Sequence, residues 1–233
     1  MIYAAILAGG KGTRMGGGLP KQFLEINGVP IVVRTVRAFL QCGVIDDIAL
    51  CVPRDYMDYT RSTLDRYPDT YGKSYVIEGG ADRTGSLENA CRFFEERYEI
   101  TDSDVLITHD CVRPFVTAGI VISSVETARK YGGATAAVPS VDTVCFSSDG
   151  RIIESVPDRS KLFSVQTPQT FMFRDFCEVL YSLTEEEKSR VTDASAVFRM
   201  RGRTVALSAG AHFNIKITHP SDIPLAEVLA ESF

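Results

Sequence analysis

The first 22 residues constrain the fold more than any other stretch, because an apolar run leads directly into a glycine-rich loop. Residues 2–8 (IYAAILA) form a short continuous apolar segment, which is typical of a strand covered on both faces in a parallel sheet. Gly9, Gly10 and Gly12 then let the backbone come close to a ligand, so that successive N–H groups can point at phosphate oxygens. The pattern therefore predicts a buried strand that ends in a polyphosphate-binding loop.

The loop also carries three cationic residues, Lys11, Arg14 and Lys21, which predict countercharge for phosphates. Two common phosphate loops do not fit the spacing. A P-loop needs Gly-Lys-Ser/Thr after four residues, whereas the glycines here are followed by Thr13 and Arg14. The dinucleotide fingerprint would need its third glycine at Met15. The alternative is an ordinary strand-to-helix turn with surface lysines, which the crowding of six glycines and three cations from residue 9 to 21 disfavours.

Composition favours one α/β domain spanning residues 1–233, because 233 residues with 45% hydrophobic content can build a sizeable core. The net charge of −5 argues against a nucleic-acid partner. Six scattered cysteines without a C-x-x-C pair, and three lone histidines, offer no spaced zinc ligands. The short N-terminal apolar run is not a signal peptide or a membrane span, so we expect a soluble cytoplasmic protein with no membrane partner.

Apolar runs and helical periodicities alternate along the first 140 residues, which favours a doubly wound, mostly parallel sheet with a Rossmann-like nucleotide-binding half. Pro30 suits the first position of a helix that Gly43 ends. The predicted strands are 2–8, 45–52, 74–78, 105–108 and 134–138, and the predicted helices begin near residues 30, 55, 83 and 118. Because parallel strands present their carboxyl ends at one edge, we expect the loops after them to share one crevice.

Two later strand ends carry polar blocks. Residues 79–83 (GGADR) form a second glycine loop, and Asp110 follows the fourth strand in HDCVRPF. A carboxylate beside a phosphate loop is well placed to hold Mg²⁺, which prefers carboxylate and phosphate oxygens. The alternatives are a plain turn with a helix N-cap for the first block, and a structural ion pair between Asp110 and Arg113 for the second. We expect His109 to pack and hydrogen-bond locally.

After the fifth strand the alternation breaks. Segments 142–146 and 151–155 flank Ser-Ser-Asp-Gly, a hairpin signal, yet neither has a convincing core-facing run. We therefore predict a protruding β-hairpin arm over residues 140–163, with a flap within one chain as the alternative. Further along, QTPQTF is expected to form a turn, Thr192 to be an N-cap with Asp193 as a first-turn acid, and Lys216 to point away from a buried face.

Four blocks, LAGGKGTRMG with PKQF, HDCVRPF, TPQTF and NIKIT, resemble the CTP-dependent polyol-phosphate cytidylyltransferases over nearly the whole chain. The resemblance implies attack of a polyol-phosphate oxygen on the α-phosphorus of CTP, with release of pyrophosphate and help from Mg²⁺. It also implies a homodimer in which the arm crosses to the other subunit and closes its substrate pocket.

The resemblance assigns roles to individual residues. Those expected at CTP are Leu7, Ala8, Gly9, Gly10, Gly12, Thr13, Gly79, Gly80, Arg83, Ser86, Asp110 and Thr167, with Asp110 also holding the metal. Those expected at the polyol phosphate are Arg113, Thr143, Arg159, Thr192 and Lys216. Those expected to act in catalysis are Arg14, Lys21, Arg159 and Lys216.

The acceptor is predicted from small differences within this family. The LAGG opening, Val112 after HDC and the shortened TDAS favour the branch that uses D-ribitol 5-phosphate in teichoic-acid synthesis. The alternative acceptor is 2-C-methyl-D-erythritol 4-phosphate of isoprenoid synthesis. A non-catalytic nucleotide-binding protein on the same fold is the alternative of another class, since fold does not fix function.

Overall fold

A computed structural model describes residues 1–10 and 19–232, and in this part of the chain a seven-stranded sheet is flanked by helices on both faces. The predicted contributions of Lys11, Gly12, Thr13 and Arg14 lie outside the described residues. The strands are β1 Ile2–Leu7, β2 Glu25–Ile26, β3 Val29–Pro30, β4 Asp47–Val52, β5 Ser74–Glu78, β6 Val105–Asp110, β7 Gly133–Pro139, β8 Phe163–Met172 and β9 Ala206–Ala209. The α-helices are α1 Ile31–Gln41, α2 Met57–Leu64, α3 Arg83–Arg97, α4 Ala118–Tyr131, α5 Phe173–Tyr181, α6 Glu185–Ser189, α7 Ala194–Met200 and α8 Asp222–Ala230.

The sheet order is β5-β4-β1-β6-β8-β7-β9, with β2 and β3 forming a separate small ribbon. Strands β5, β4, β1 and β6 are parallel, β8 runs antiparallel to both β6 and β7, and β9 is parallel to β7. The mostly parallel α/β architecture predicted from the sequence is confirmed. Because β1, β5 and β6 point the same way, the loops that follow them lie at one edge of the sheet.

Alternate residues of β1 enter two different cores. Ala4 and Ile6 pack with α1 and α4, whereas Tyr3 and Ala5 pack with α3 and α5. This two-sided burial explains why the strand is a continuous apolar run rather than an alternating one. It also fixes the register of β1 and therefore the position of the glycine loop that follows it.

Several boundaries differ from the predicted ones. Strand β6 continues two residues further and includes Asp110, and Pro30 lies in β3 ahead of the helix. Asp193, not Thr192, is the N-cap of α7, since its carboxylate accepts a hydrogen bond from the amide of Ala196. The predicted turn QTPQTF is wrong as well, because these residues form the middle of β8.

The predicted hairpin is reduced to a single antiparallel bridge between Phe146 and Ser155, without two regular strands. Its backbone bonds run from the Phe146 amide to the Ser155 carbonyl and from the Glu154 amide to the Phe146 carbonyl, each at 2.9 Å. Residues 140–163 are nearly all exposed, and among them are large apolar side chains such as Val141, which is 70% exposed. We call this segment the arm. The strands do not extend because nothing in the described chain covers them.

In the described ranges, none of the helices combines the length and the apolar character that crossing a membrane would need.

Candidate active site

A cavity opens at the carboxyl edge of the sheet, between the loops that follow β1, β5 and β6. It brings together many of the residues predicted from the sequence, namely Leu7, Ala8, Gly9, Gly10, Lys21, Gly80, Arg83, Ser86, Asp110 and Lys216. Other predicted residues that the structure describes do not line it, namely Gly79, Arg113, Thr143, Arg159, Thr167 and Thr192. The predicted shared crevice is therefore present, and the roles of the individual residues stay predictions.

The first wall of the cavity is the end of β1. The amide of Ala8 donates to the carbonyl of Cys51 (2.8 Å), and the buried side-chain amide of Gln22 donates to the carbonyl of Ala8 (2.7 Å). These bonds tie the strand end to the short 3₁₀ helix Lys21–Phe23. Lys21 lies against Gly10, where a Cβ would stand 3.6 Å from the lysine Cε. A cationic side chain is thus held close to backbone at the loop.

The second wall is the glycine loop before α3. Asp82 caps the helix by accepting from the amide of Gly85 (2.8 Å), while the Ser86 hydroxyl donates to the Asp82 carbonyl (2.8 Å) and accepts from the Gly80 amide (3.0 Å). A Cβ on Gly80 would stand 2.3 Å from the carbonyl carbon of Gly85, so only glycine fits. The loop is consequently folded back tightly onto the helix N-terminus.

Asp110 occupies the floor of the cavity and pairs with two cations. One carboxylate oxygen bonds to Nη2 of Arg83, and the other lies 2.7 Å from Nζ of Lys216. Arg83 comes from the second glycine loop, whereas Lys216 comes from the NIKIT segment near the end of the chain. The alternative ion pair between Asp110 and Arg113 is not formed. A single carboxylate therefore joins two distant parts of the sequence.

Burial alone would raise the pKa of the Asp110 carboxyl, but the positive charges of Arg83 and Lys216 outweigh it and hold that pKa well below its usual range. Asp110 is thus ionised at neutral pH. For His109 the balance is different, because complete burial lowers the pKa of the imidazole to about 4. His109 is accordingly neutral in the folded protein.

Two guanidinium groups near the cavity keep buried nitrogen atoms without a partner in the described part of the chain. They are Nη1 of Arg83 and Nε of Arg113, and the latter side chain also donates from Nη1 to the carbonyl of Asn214 (2.8 Å). Buried donors without an acceptor are costly, so such groups favour binding an anion. Arg83, Arg113, Lys21 and Lys216 together make this edge of the sheet suited to a phosphorylated ligand.

Thr167 lies behind Asp110 rather than on the cavity surface. Its hydroxyl accepts from the amide of Asp110 (3.1 Å) and bonds to Nδ1 of His109 (3.0 Å). The other imidazole nitrogen, Nε2, bonds to the carbonyl of Arg113 (3.0 Å). The expected local hydrogen bonding of His109 is confirmed. The predicted contact of Thr167 with CTP stays a prediction.

Sequence reasoning missed four buried polar residues that hold the site in shape. Gln22 is described above, and Asn214 donates from Nδ2 to the carbonyl of Thr167 (2.9 Å). Gln166 exchanges hydrogen bonds with the backbone of Ala211, which fixes the segment leading to Lys216. The carbonyl oxygen of the Gln169 side chain accepts from the amides of Ala194 and Ser195 at the start of α7. Gln166 and Gln169 lie in β8, whereas Gln22 lies in the 3₁₀ helix and Asn214 lies outside the strands, so the four residues share no local sequence pattern.

The residues predicted at the polyol phosphate divide into two groups. Lys216 and Arg113 lie at or beside the cavity, whereas Thr143 and Arg159 lie on the exposed arm and Thr192 is exposed ahead of α7. Within the chain, Nη1 of Arg159 donates to the carbonyl of Val141 (3.1 Å). Of the cationic residues predicted at the polyol phosphate, Lys216 and Arg113 therefore lie at or beside the cavity, and Arg159 lies apart from them on the arm.

The donor set can be tested against the predicted Mg²⁺. In residues 1–10 and 19–232 no group of three or more His, Cys, Asp or Glu side chains could hold a metal. Mg²⁺ is commonly bound by one or two carboxylates together with substrate phosphates. Asp110, ionised and facing a cavity lined with the cationic side chains of Lys21, Arg83 and Lys216, fits that arrangement. Its present partners, Arg83 and Lys216, would compete with the metal.

Comparison with known proteins adds a whole-chain context. Residues 2–232 match the family model described as IspD, 2-C-methyl-D-erythritol 4-phosphate cytidylyltransferase. Two curated relatives from Streptococcus pneumoniae strains, each called ribitol-5-phosphate cytidylyltransferase, are 38% and 39% identical over 233 residues and cover 99% of both chains.

Solved structures point to the same group. A 4-diphosphocytidyl-2C-methyl-D-erythritol synthase from Anaerococcus prevotii superposes with a TM-score of 0.83 at 27% identity, covering 99% of this chain and 96% of its own. A 2-C-methyl-D-erythritol 4-phosphate cytidylyltransferase from Thermus thermophilus gives a TM-score of 0.76 at 27% identity, covering 99% and 100%.

Proposed function

The chain belongs to the 2-C-methyl-D-erythritol 4-phosphate cytidylyltransferase family, and from this premise we propose that it transfers CMP from CTP to D-ribitol 5-phosphate. The observation that carries the choice of acceptor is identity. Curated ribitol-5-phosphate enzymes reach 38–39% over the full length, whereas the solved methylerythritol-phosphate enzymes named above reach 27%. Family membership makes the chain a cytidylyltransferase and removes the non-catalytic alternative.

In the proposed reaction a phosphate oxygen of the acceptor attacks the α-phosphorus of CTP. A new phosphorus–oxygen bond forms, the bond from the α-phosphorus to the bridging oxygen breaks, and pyrophosphate leaves. No general base is needed, because a phosphate monoester with a second pKa of about 6 is mostly dianionic at neutral pH. The work of the protein is alignment and charge stabilisation.

The geometry suggests how the described residues divide this work. Lys21, held against Gly10, stabilises charge at the α-phosphate and the leaving pyrophosphate. The same role stays a prediction for Arg14, which lies outside the described residues. Arg83 offers an unpartnered nitrogen to the nucleotide phosphates. Lys216 and Arg113 hold the acceptor phosphate. CTP fills the cavity between the two glycine loops.

Mg²⁺ is part of the proposal. Bound to Asp110 and to phosphate oxygens, it would neutralise negative charge that develops on the triphosphate. Arg83 and Lys216 would then exchange the Asp110 carboxylate for substrate phosphates. Both cations lie beside the Asp110 carboxylate, close to where the substrates are proposed to bind.

A homodimer completes the proposed site. The arm exposes several large apolar side chains with no cover from the described chain, namely Val141, Val144, Phe146, Ile152, Ile153 and Val156. A patch of this kind on one segment favours a protein partner. We propose that the partner is a second copy, whose cavity the arm closes with Arg159 and Thr143. A cytoplasmic location also fits, since the six cysteines are all free thiols.

The function is tested by pyrophosphate release. Purified protein with Mg²⁺ and CTP is given D-ribitol 5-phosphate or 2-C-methyl-D-erythritol 4-phosphate, and kcat/KM is measured for each acceptor. We expect D-ribitol 5-phosphate to be used at least tenfold better. The family model and the solved structures make methylerythritol phosphate the second candidate. A preference for it would refute the proposed acceptor and keep the cytidylyltransferase activity.

The shared site is tested by complementation. Lys21→Ala and Arg159→Ala chains, each nearly inactive, are unfolded together and refolded as an equal mixture. Random pairing into two-fold dimers gives about half mixed dimers, and one site in each combines an intact loop with an intact arm. Recovery of about a quarter of wild-type activity is expected. If mass analysis shows mixed dimers but activity stays absent, each arm serves its own chain.

A further inference from the structure

Four hydrogen bonds form a closed ring behind the cavity, and its members come from the blocks HDCVRPF, TPQTF and NIKIT. Arg113 Nη1 donates to the carbonyl of Asn214 (2.8 Å), and Asn214 Nδ2 donates to the carbonyl of Thr167 (2.9 Å). The Thr167 hydroxyl bonds to Nδ1 of His109 (3.0 Å), and Nε2 of His109 bonds to the carbonyl of Arg113 (3.0 Å). The ring returns to the residue at which it starts.

Each link of the ring has one allowed direction. The Arg113 carbonyl can only accept, so Nε2 of the neutral imidazole carries the proton. Nδ1 is therefore an acceptor, and the Thr167 hydroxyl donates to it. The same hydroxyl oxygen accepts from the amide of Asp110 (3.1 Å). Swapping any donor for an acceptor would leave two like groups facing each other in a buried place.

The ring joins the two halves of the proposed site. On one side it holds the backbone of Asp110, whose carboxylate faces the cavity, and on the other it holds Arg113 by both its carbonyl and its side chain. His109 and Asn214 are 0% exposed and do not line the cavity. They therefore act on substrates only indirectly, through Asp110 and Arg113.

The hydrogen bonds of Asn214 indicate that this side chain does more than pack in the core. Its Nδ2 atom bonds to both Gln166 and Thr167, but its Oδ1 atom is buried without a partner in the described chain. An unpaired buried amide oxygen costs stability, which an apolar residue of similar size would avoid. The donor function of this side chain is what the arrangement uses.

We propose that His109 and Asn214 are positioning residues, which fix Arg113 relative to Asp110 and thereby the acceptor phosphate relative to the α-phosphate of CTP. The inference rests on the proposed function for the identity of the two substrates. Displacement of a reacting group by about 1 Å can lower a rate by about 10²-fold. Loss of the ring should therefore reduce turnover of the acceptor far more than it reduces binding of CTP.

The kinetic test uses His109→Phe, which keeps the aromatic shape against Phe39, and Asn214→Asp, which keeps the size but replaces the donor by an oxygen. Asn89→Asp is the matched control, since Nδ2 of Asn89 also donates to a carbonyl, that of Glu78, outside the ring. Each ring variant should lower kcat/KM for the acceptor about 10- to 100-fold. The Kd of CTP, measured calorimetrically without acceptor, should change less than about threefold.

The double variant distinguishes a ring from two separate structural roles. Because both substitutions break the same closed arrangement, the double variant should be no more than about threefold worse than the poorer single one. The proposal would be overturned if the fold-losses in kcat/KM of the two single variants multiplied in the double variant. It would also be overturned by acceptor kcat/KM within threefold of wild type, an equal loss in CTP binding, or the same loss in Asn89→Asp.

A second readout does not depend on activity. In ¹⁵N NMR spectra of the imidazoles, the signals that His109→Phe removes belong to His109. The hydrogen-bond ring requires a proton on Nε2, which donates to the carbonyl of Arg113, and an Nε2 atom without a proton would overturn the proposal. A wild-type chain that releases no pyrophosphate with either polyol phosphate would defeat the proposed function. The NMR result would still show whether the hydrogen bonds of His109 have the direction that the ring requires.

Discussion

Replacing Asp110 with Asn tests the electrostatic organisation of the site most directly. The substitution keeps the size of the side chain but leaves Arg83 and Lys216 without their shared carboxylate. Removing one partner of a fully buried ion pair costs about 3–5 kcal/mol. Here the cations are partly exposed, 23% for Arg83 and 41% for Lys216, so water screens them. We expect a loss of about 1–3 kcal/mol in the free energy of unfolding.

A loss of that size should lower the melting temperature by about 2 to 12 °C for a chain of this length. The pH dependence follows from the depressed pKa of Asp110. A carboxylate with a lowered folded-state pKa stabilises the fold above its unfolded value near ~4, and loses that contribution as the pH falls through its folded pKa. The difference between wild type and Asp110→Asn should stay constant from about pH 5 to 8 and shrink only in more acid solution.

Binding of CTP separates this account from a purely structural one. In EDTA, the Asp110 charge competes with the triphosphate for Arg83, so Asp110→Asn should bind metal-free CTP more tightly. For a separation of about 6 Å between the Asp110 charge and a phosphate charge, and an effective dielectric constant of about 20 to 80, their repulsion is about 0.7–2.8 kcal/mol. Removing it corresponds to about 3- to 100-fold in the Kd of CTP. With Mg²⁺ present, the same variant should lose at least about 10²-fold in kcat.

The control is Asp104→Asn, which also replaces a nearly buried carboxylate paired with a cation, here the amino group of Met1. It should lower stability and leave the Kd of CTP unchanged. Calorimetric titration with and without EDTA, together with thermal unfolding, covers all these quantities. Weaker binding of metal-free CTP by Asp110→Asn would refute the competition between carboxylate and nucleotide.

Three further outcomes are expected. Lys21→Ala should lower kcat by about 10²-fold with a smaller change in the Kd of CTP, and near-normal kcat would contradict its role. Gly80→Ala should lower both the melting temperature and CTP affinity, because its methyl group would meet the backbone of Gly85 at 2.3 Å. Gly119→Ala in α4 should raise the melting temperature slightly, because its methyl group would make only an ordinary contact with Thr117 Oγ1 at 3.9 Å; equal shifts would refute the argument. In sedimentation, Phe146→Asp on the arm should weaken self-association, and Tyr131→Asp in α4, whose side chain is also exposed, should not.

The parts of the fold that followed from the sequence are those set by local pattern. The apolar run of β1 is explained by its burial on both faces, and the glycine loop after β5 is explained by the close approach of Gly80 to the backbone of Gly85. Strand direction then places Gly9, Gly80 and Asp110 at one edge. The shared cavity was therefore predictable from strand ends alone.

The errors arose where long-range contacts override local pattern. Pro168 suggested a turn, yet the strand continues because the pairing of β8 with β7 shifts register between Thr135 and Ala137, which accommodates a residue without an amide hydrogen. The partners of Gln166 and Gln169 lie far along the chain. Spacing in one sequence gives no sign of such pairs.

Asp110 links the two proposed subsites twice, and this makes it the residue on which the site depends most. Its carboxylate pairs with Arg83 on the nucleotide side and with Lys216 on the acceptor side. Its amide donates to Thr167, whose hydroxyl belongs to the ring that holds Arg113. The side chain of Asp110 thus contributes negative charge, whereas its backbone amide helps to fix the position of the ring. Asp110→Asn removes the charge and leaves the ring intact, whereas His109→Phe opens the ring and leaves the charges paired, so the two variants report on separate contributions to the same reaction.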